Sequence, residues 1–389
     1  MRSERLIEIV APRRLVAGDD AIDDLGAIVR ELAPEPGPVL VVSDRVIVEL
    51  GLTQRATRPL AAAGYDSVVF GEIAAEPDLP LIDRLAVVAA EESFVAVVGI
   101  GGGSALDPAK LAAAMATNDI PPVEIVEGRP LERPTLPLVL APTTAGTGAE
   151  GSRNSVVAHD GRKRVVSSPY LCPSVALLDA TLTVSSPPAV TAASGVDALC
   201  HAVESALSTY ANPFTLANAF AAMRSIPKAL PVAYADGADL PARRAMLYAA
   251  YLAGLSLNAV TVLGHTMGYT IAGRTGLGHG ITCAMSLPYC LAYNQTAEKV
   301  RLREIAHEVG AGDTQLPLWS RRFGDGLQIP ASLREVGIPS AAIEALAVEC
   351  IERYPRPNNP VPFERDRLVR LYRRFYDGDI DGAVRDMAA

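Results

Sequence analysis

Long apolar runs are missing from this 389-residue chain. No stretch reaches the roughly 18 consecutive apolar residues of a membrane-crossing helix, so no membrane partner is expected. Basic charge is also in short supply: 35 Lys and Arg stand against 44 Asp and Glu, a formal net charge of −9. That balance argues against nucleic acid or an anionic membrane surface as partner, since both call for basic patches. Cysteine is scarce, at five residues (172, 200, 283, 290 and 350), an odd number without a CxxC pair. A reduced, cytoplasmic protein is the expectation. The charged opening Met1 to Arg5, followed by a short apolar run from Leu6 to Ala11 broken by Glu8, does not read as a signal peptide. Histidine is limited to positions 159, 201, 265, 279 and 307, so any histidine-based chemistry draws on very few side chains.

What is present is hydrophobic mass: 49% of residues are apolar and 20% charged, enough for a large interior divided over two domains. The first half alternates. Val39 to Val42, Ser67 to Phe70 and Phe94 to Val98 read as strands, and apolar runs of this kind suit strands covered on both faces. Between them lie helical segments from about Val46 to Ala63 and Leu79 to Glu92, and a third helix runs from Ala105 to Met115. Further strands are expected at 138–141, 155–158 and 175–178. This spacing predicts a parallel sheet with crossover helices. The turn Ser185-Ser186-Pro187-Pro188 is a break. Beyond it the chain turns Ala- and Leu-rich, with helices near 190–209, 214–229, 242–258, 284–293, 297–308, 341–352 and 366–376. The segments 310–330 and 354–362 read as the loosest. The expected organisation is an α/β domain over 1–186 and an all-α domain over 187–389.

Two loops in the first half suit a nucleotide. Gly99-Ile100-Gly101-Gly102-Gly103-Ser104 joins a strand's carboxyl end to a helix's amino end. Free N–H groups and the helix dipole favour a pyrophosphate there. Pro142-Thr143-Thr144-Ala145-Gly146-Thr147-Gly148-Ala149-Glu150 offers three hydroxyls at the same kind of edge. Asp44, after the first clear strand, could accept from ribose hydroxyls and repel a 2′-phosphate. In the second half, Ser194 to Glu204 reads as a helix with Ser194 as its N-cap. Asp197 and His201, four apart, then face the same way. Together with the glycine-flanked His265 and His279 they make an Asp-His-His-His set suited to a borderline divalent metal such as Fe²⁺ or Zn²⁺.

The order of these stretches resembles the iron-containing (group III) alcohol dehydrogenase family, which includes lactaldehyde reductase and propanediol and butanol dehydrogenases. The stretches are Gly101 to Lys110, Thr143 to Glu150, Gly195 to Glu204, and Gly264-His265 with His279-Gly280. The likeness runs from Pro12-Arg13 to about Asn359. It implies an amino-terminal dinucleotide-binding α/β domain and a carboxy-terminal helical domain. The cofactor residues it implies are Asp44, Gly101, Gly102, Gly103, Ser104, Asp107, Thr143, Thr144, Thr147, Ser152 and Lys163. The metal ligands are Asp197, His201, His265 and His279, holding Fe²⁺ with Zn²⁺ as the second choice. NAD is implied over NADP through Asp44. Implied too are a small alcohol or aldehyde as substrate and a homodimer or larger homo-oligomer.

Three departures from the family pattern stand out. Gly151-Ser152-Arg153-Asn154 follows the threonine loop where relatives carry valine or a second threonine, Glu76 replaces a common asparagine, and Tyr269 stands for a histidine four residues after His265. Tyr269 is the candidate proton-transfer residue, its pKa lowered by the nearby metal. Asn258, Tyr269 and Tyr354 are candidate substrate contacts. The expected reaction is reversible hydride transfer between NAD(H) and an alcohol with its aldehyde or ketone. The alternatives are a maleylacetate-reductase-like reductase and a lyase resembling dehydroquinate synthase on the same fold.

Overall fold

The computed structural model describes residues 6–73 and 76–388; the charged opening Met1 to Arg5 lies outside them. The chain divides into two compact units, one from Val10 to Ser186 and one from Pro187 onward, with residues 6–9 grouped with the latter.

The amino unit holds β1 (Arg14–Ala17), α1 (Leu25–Leu32), β2 (Val39–Asp44), α2 (Arg45–Glu49), α3 (Thr53–Ala62), β3 (Ser67–Ile73) and α4 (Leu79–Glu91). It continues with β4 (Ala96–Gly101), α5 (Gly103–Met115), α6 (Pro122–Val126), β5 (Leu138–Pro142), β6 (Asn154–His159), β7 (Arg162–Ser167) and β8 (Val175–Leu178). Six strands form one parallel sheet in the order β1-β8-β5-β4-β2-β3, while β6 and β7 pair as a separate antiparallel hairpin. The buried strands are largely apolar because each face has its own core. Val39, Val41, Val98 and Ile100 pack with Leu25, Val29 and Leu60 of α1 and α3 on one side. Leu40, Val42, Val97 and Leu140 pack with Leu81, Leu85 and Leu106 of α4 and α5 on the other. The expected helix from Val46 to Ala63 is two helices, because Gly51, at a φ of 74°, breaks it. The sheet grows first from β2 to β3, then crosses back to β4 on the other flank of β2. That reversal is a topological switch point, and the crevice beyond the strands' carboxyl ends there is where open α/β sheets take their ligands.

The carboxy unit is helical: α7 (Pro188–Leu207), α8 (Pro213–Ala235), α9 (Leu240–Ser256), α10 (Leu263–Thr275), α11 (His279–Asn294) and α12 (Lys299–Glu308). The remaining helices are α13 (Leu316–Gly326), α14 (Ile343–Glu352), α15 (Arg365–Asp377) and α16 (Ile380–Ala388). Helix α7 packs on α8, α9 and α11, and α10 packs on α11. Among the described residues no single helix is long and apolar enough to cross a membrane.

Two expectations fail here. Ser194 does not cap α7, which begins six residues earlier at Pro188; its hydroxyl instead donates to the Val190 carbonyl at 2.7 Å. Proline suits a first helical position, so the Pro187-Pro188 break is itself the start signal. The segment 310–330, read as loose, contains α13, whose Leu316, Pro317 and Ser320 are buried.

Candidate active site

Helix α7 presents Asp197, His201 and Glu204 at i, i+4 and i+7, a single face. His265 comes from the first turn of α10 and His279 opens α11. The Asp197 carboxylate is the meeting point. Its Oδ1 lies 4.0 Å from His201 Nε2, 3.8 Å from His265 Nε2 and 3.9 Å from His279 Nε2. Ligand atoms that share a cation at about 2.0–2.1 Å each can be no more than about 4.2 Å apart, and all three spacings meet that limit. His265 Nε2, one of these three nitrogens, is buried without a hydrogen-bond partner among the described residues, as a ligand nitrogen would be. Burial holds His265 well below the ordinary histidine range, reinforced by His201 and opposed by Asp197. It is therefore neutral, the form that ligates. The His279 side chain, 24% exposed where Asp197, His201 and His265 are at most 7%, marks the open side of the cluster.

Two residues of this cluster went unassigned at the level of sequence. Glu204, fully buried, sets its Oε1 2.6 Å from His265 Nδ1. Its Oε2 accepts from the backbone N–H of Val262 at 2.9 Å and of His265 at 3.2 Å. Burial pushes this carboxyl up to about 8, against those two N–H donors and Arg356. Its position seven after Asp197 on one helical face was the available signal. Cys283, one turn after His279, brings Sγ to 3.5 Å from His279 Nδ1 and 3.6 Å from Nε2. Its sulfur and the donor atoms of Asp197, His265 and His279 all lie within 4.8 Å of one another.

Tyr269, one turn after His265 on α10, is 8% exposed. Its ring stacks on His279 with centroids 5.3 Å apart and meets Tyr354 at 5.2 Å. Burial pushes its phenol above the ordinary tyrosine range, with Arg356 opposing; the lowering expected from the sequence is the effect of a bound metal and adds to these protein contributions. Tyr354 joins this aromatic wall, whereas the Asn258 amide donates to Leu255 O at 3.0 Å.

In the amino unit the glycine and threonine loops follow the neighbouring strands β4 and β5. Thr143 N–H donates to Gly101 O at 2.9 Å. Gly103 allows the loops to touch, since a Cβ there would stand 2.7 Å from Thr147 Cγ2. Thr144 Oγ1 lies 3.4 Å from where a Gly102 Cβ would be. Gly102 and Gly103 lead directly into Ser104 in the first turn of α5, so the amino end of a helix, the end that favours an anion, stands at the switch point. Asp44 ends β2 across that crevice. It caps α2, accepting from Ile47 N at 3.0 Å, and the Gly102 N–H also bonds to it. Burial raises its pKa against these bonds.

The remaining implied cofactor residues are tied into the scaffold. Asp107 Oδ2 accepts from Val156 N at 3.0 Å; desolvation pushes it up to about 6, opposed by Lys110. Ser152 Oγ accepts from Asn154 N at 3.0 Å, and its carbonyl takes the buried Lys110 ammonium at 2.8 Å. Lys163 pairs with Glu76 at 2.8 Å, so two positions singled out separately in the sequence are one ion pair.

A switch-point glycine loop in one unit and a convergent Asp-histidine cluster in the other are the parts of a dehydrogenase that uses a dinucleotide and a metal. Comparison with known proteins agrees. Residues 12–180 match the family model "Iron-containing alcohol dehydrogenase", and 191–376 match "Fe-containing alcohol dehydrogenase family, C-terminal". The chain is 35% identical to long-chain-alcohol dehydrogenase 1 of Geobacillus thermodenitrificans, over 96% of this chain and 97% of that protein. Its structure is similar to that of a 1,3-propanediol oxidoreductase, with a TM-score of 0.90 at 30% identity, covering 96% of this chain and 100% of the other. It is also similar to sulfoacetaldehyde reductase from Bifidobacterium kashiwanohense in complex with NAD⁺, with a TM-score of 0.88 at 28% identity, covering 95% and 99%. The chain belongs to the iron-containing alcohol dehydrogenase family and is an oxidoreductase of that class.

Proposed function

We propose that this protein is an NAD-dependent alcohol dehydrogenase, reversibly oxidising an alcohol to its aldehyde or ketone at a divalent metal held by Asp197, His201, His265 and His279. The observation that carries the reading is the convergence of three histidine Nε2 atoms within 4.0 Å of one carboxylate oxygen. One carboxylate and three neutral imidazoles suit Fe²⁺, with Zn²⁺ as the competitor. When bound, the metal supplies Lewis acidity toward a hydroxyl or carbonyl oxygen and the nicotinamide supplies the hydride acceptor.

The chain's own residues do the rest. Asp197 offsets the charge of the cation in a buried site. His279, the most exposed of the four, borders the side from which a substrate enters. Tyr269 and Tyr354 wall that side with aromatic surface and limit water there. In the amino unit the N–H groups at the start of α5 bind pyrophosphate oxygens, and Thr143, Thr144 and Thr147 offer hydroxyls alongside. Asp44 accepts from ribose hydroxyls and disfavours a 2′-phosphate.

A lyase resembling dehydroquinate synthase would need cations to hold anionic groups of its substrate. Of the basic residues between 190 and 300, Arg224 pairs with Glu308 and Arg274 with Glu349, while Arg243 donates to Thr191 and the Gly237 carbonyl. With these three engaged, Lys228, Arg244 and Lys299 are the other basic residues of the window, and Arg356 is the cation that acts on Glu204, His265 and Tyr269; net NADH formation separates the two readings. A maleylacetate-reductase-like enzyme is disfavoured by the complete donor set. The test is metal analysis of anaerobically purified protein, followed by a panel of alcohols with NAD and NADP. Stoichiometric iron and net NADH formation are expected; protein without metal, or with metal and no net NADH, would overturn the reading.

A further inference from the structure

We infer that Glu204 is a positioning residue for the metal site: its Oε1 accepts the Nδ1 proton of His265, so that the ring presents an unprotonated Nε2 to the cation. This rests on the metal reading above.

A neutral imidazole carries one N–H, and whichever nitrogen holds it cannot ligate. His265 Nε2 faces Asp197 Oδ1 at 3.8 Å, among the other donors. With a cation at Nε2, the proton sits on Nδ1 and needs an acceptor. That acceptor is Glu204 Oε1, at 2.6 Å; burial alone favours the protonated acid, and the charge of a cation bound at Nε2 favours the carboxylate that accepts. The carboxylate cannot swing away, because Oε2 is tied to two backbone N–H groups at the start of α10. The same two bonds cap the helix that carries His265, so ring and backbone are fixed by one group. Gly264 is part of the device: a Cβ there would stand 2.5 Å from Glu204 Oε1 and 2.9 Å from its Cδ. Partners of this kind orient metal-bound histidines and raise their basicity.

Glutamine at 204 keeps the shape but offers one oxygen and one NH₂. If its oxygen keeps the two backbone N–H groups, the NH₂ donates to Nδ1 and moves the ring proton to Nε2, toward the cation. If its oxygen takes the Nδ1 proton, the NH₂ opposes two backbone donors. Either arrangement weakens the site.

The experiment measures Zn²⁺ affinity of metal-free wild type and Glu204→Gln by competition with a chromophoric chelator, with thermal melting of the metal-free proteins alongside. Glu204→Gln is expected to bind Zn²⁺ about 10- to 100-fold more weakly with a melting temperature close to wild type. Equal affinity in the two proteins would overturn the inference. So would a weaker affinity fully accounted for by a lower melting temperature, which is the mark of a helix cap alone. Should the variant fail to fold, the ¹⁵N signals of His265 in Zn²⁺-loaded wild type decide: a protonated Nδ1 is expected, and an unprotonated one would overturn the inference. Wild type that binds no Zn²⁺, Fe²⁺ or Co²⁺ would instead sink the metal reading on which this stands.

Discussion

Tyr269 and His279 lie nearly parallel, their planes 20° apart and their centroids separated by 5.3 Å. The phenol ring is thus held against the most exposed of the three clustered histidines, where a substrate would approach. Burial raises its pKa and so favours the protonated phenol, which is a hydrogen-bond donor. Tyr269→Phe is expected to lower kcat/KM by about ten-fold, the worth of roughly one hydrogen bond, with an unchanged pH–rate profile. A displaced pH profile would restore the proton-transfer role; unchanged kcat/KM would leave only a steric one.

The choice of fourth ligand can be tested by pairing two variants. Cys283 Sγ is nearly equidistant from both His279 ring nitrogens, so it lies beside the ring rather than out along the Nε2 lone pair where a shared cation would sit. His201→Ala is therefore expected to lose metal and activity, whereas Cys283→Ser keeps stoichiometric metal. Metal content measured in both variants checks this, and the reverse result would exchange the thiol for the imidazole in the donor set.

Removing His279 should leave the fold intact, since it opens α11 and is the least buried of the four. His279→Ala is expected to abolish dehydrogenase activity and weaken metal binding, with a melting temperature near wild type for the metal-free protein. Retained metal and rate would contradict the assignment.

Asp44→Gly tests cofactor choice. On the proposed reading the change removes a charge that would face a 2′-phosphate, while replacing one acceptable N-cap by another, a difference of a few tenths of a kcal/mol. Relief of about 1 kcal/mol or more of like-charge repulsion should raise the NADP-to-NAD ratio of kcat/KM by about ten-fold. A wild type that already prefers NADP would remove Asp44 from the ribose.

Glu150 supplies a pH signature. It is 1% exposed, with Oε1 lacking a partner among the described residues, and burial pushes its carboxyl up to about 7. A carboxyl whose pKa is raised on folding binds more protons folded than unfolded. Its contribution is therefore full below its unfolded value near 4.5 and declines as pH rises to about 7. Chemical denaturation from pH 5 to pH 8 should show that decline flattened in Glu150→Gln, by on the order of 1–3 kcal/mol. An identical slope in the two proteins would mean that Glu150 is ionised in both states.

Local pattern by itself determined much of this protein. The apolar runs at 39–42 and 138–141 marked buried parallel strands, because a strand covered on both faces has no polar side to display. The glycine loop announced itself by its place between strand and helix. The spacing of Asp197 and His201 put both on one helical face, which is a property of the α-helix alone. Tertiary structure decided what spacing could not carry. Helix α10 is rich in glycine and was hidden in the sequence. Gly264 is needed where Glu204 approaches and Gly268 where Cys283 does, and in both places a Cβ would clash. The partner of Glu204 lies 61 residues away, and the Lys163–Glu76 pair spans 87. Ser194, read as a cap, proved interior to α7 because the helix continues back to a proline start. Periodicity reports which side of its own element a residue faces. Which other element waits on that side is set by the packing of whole helices and strands, and that packing is what brings the Asp197, His201, His265 and His279 side chains together.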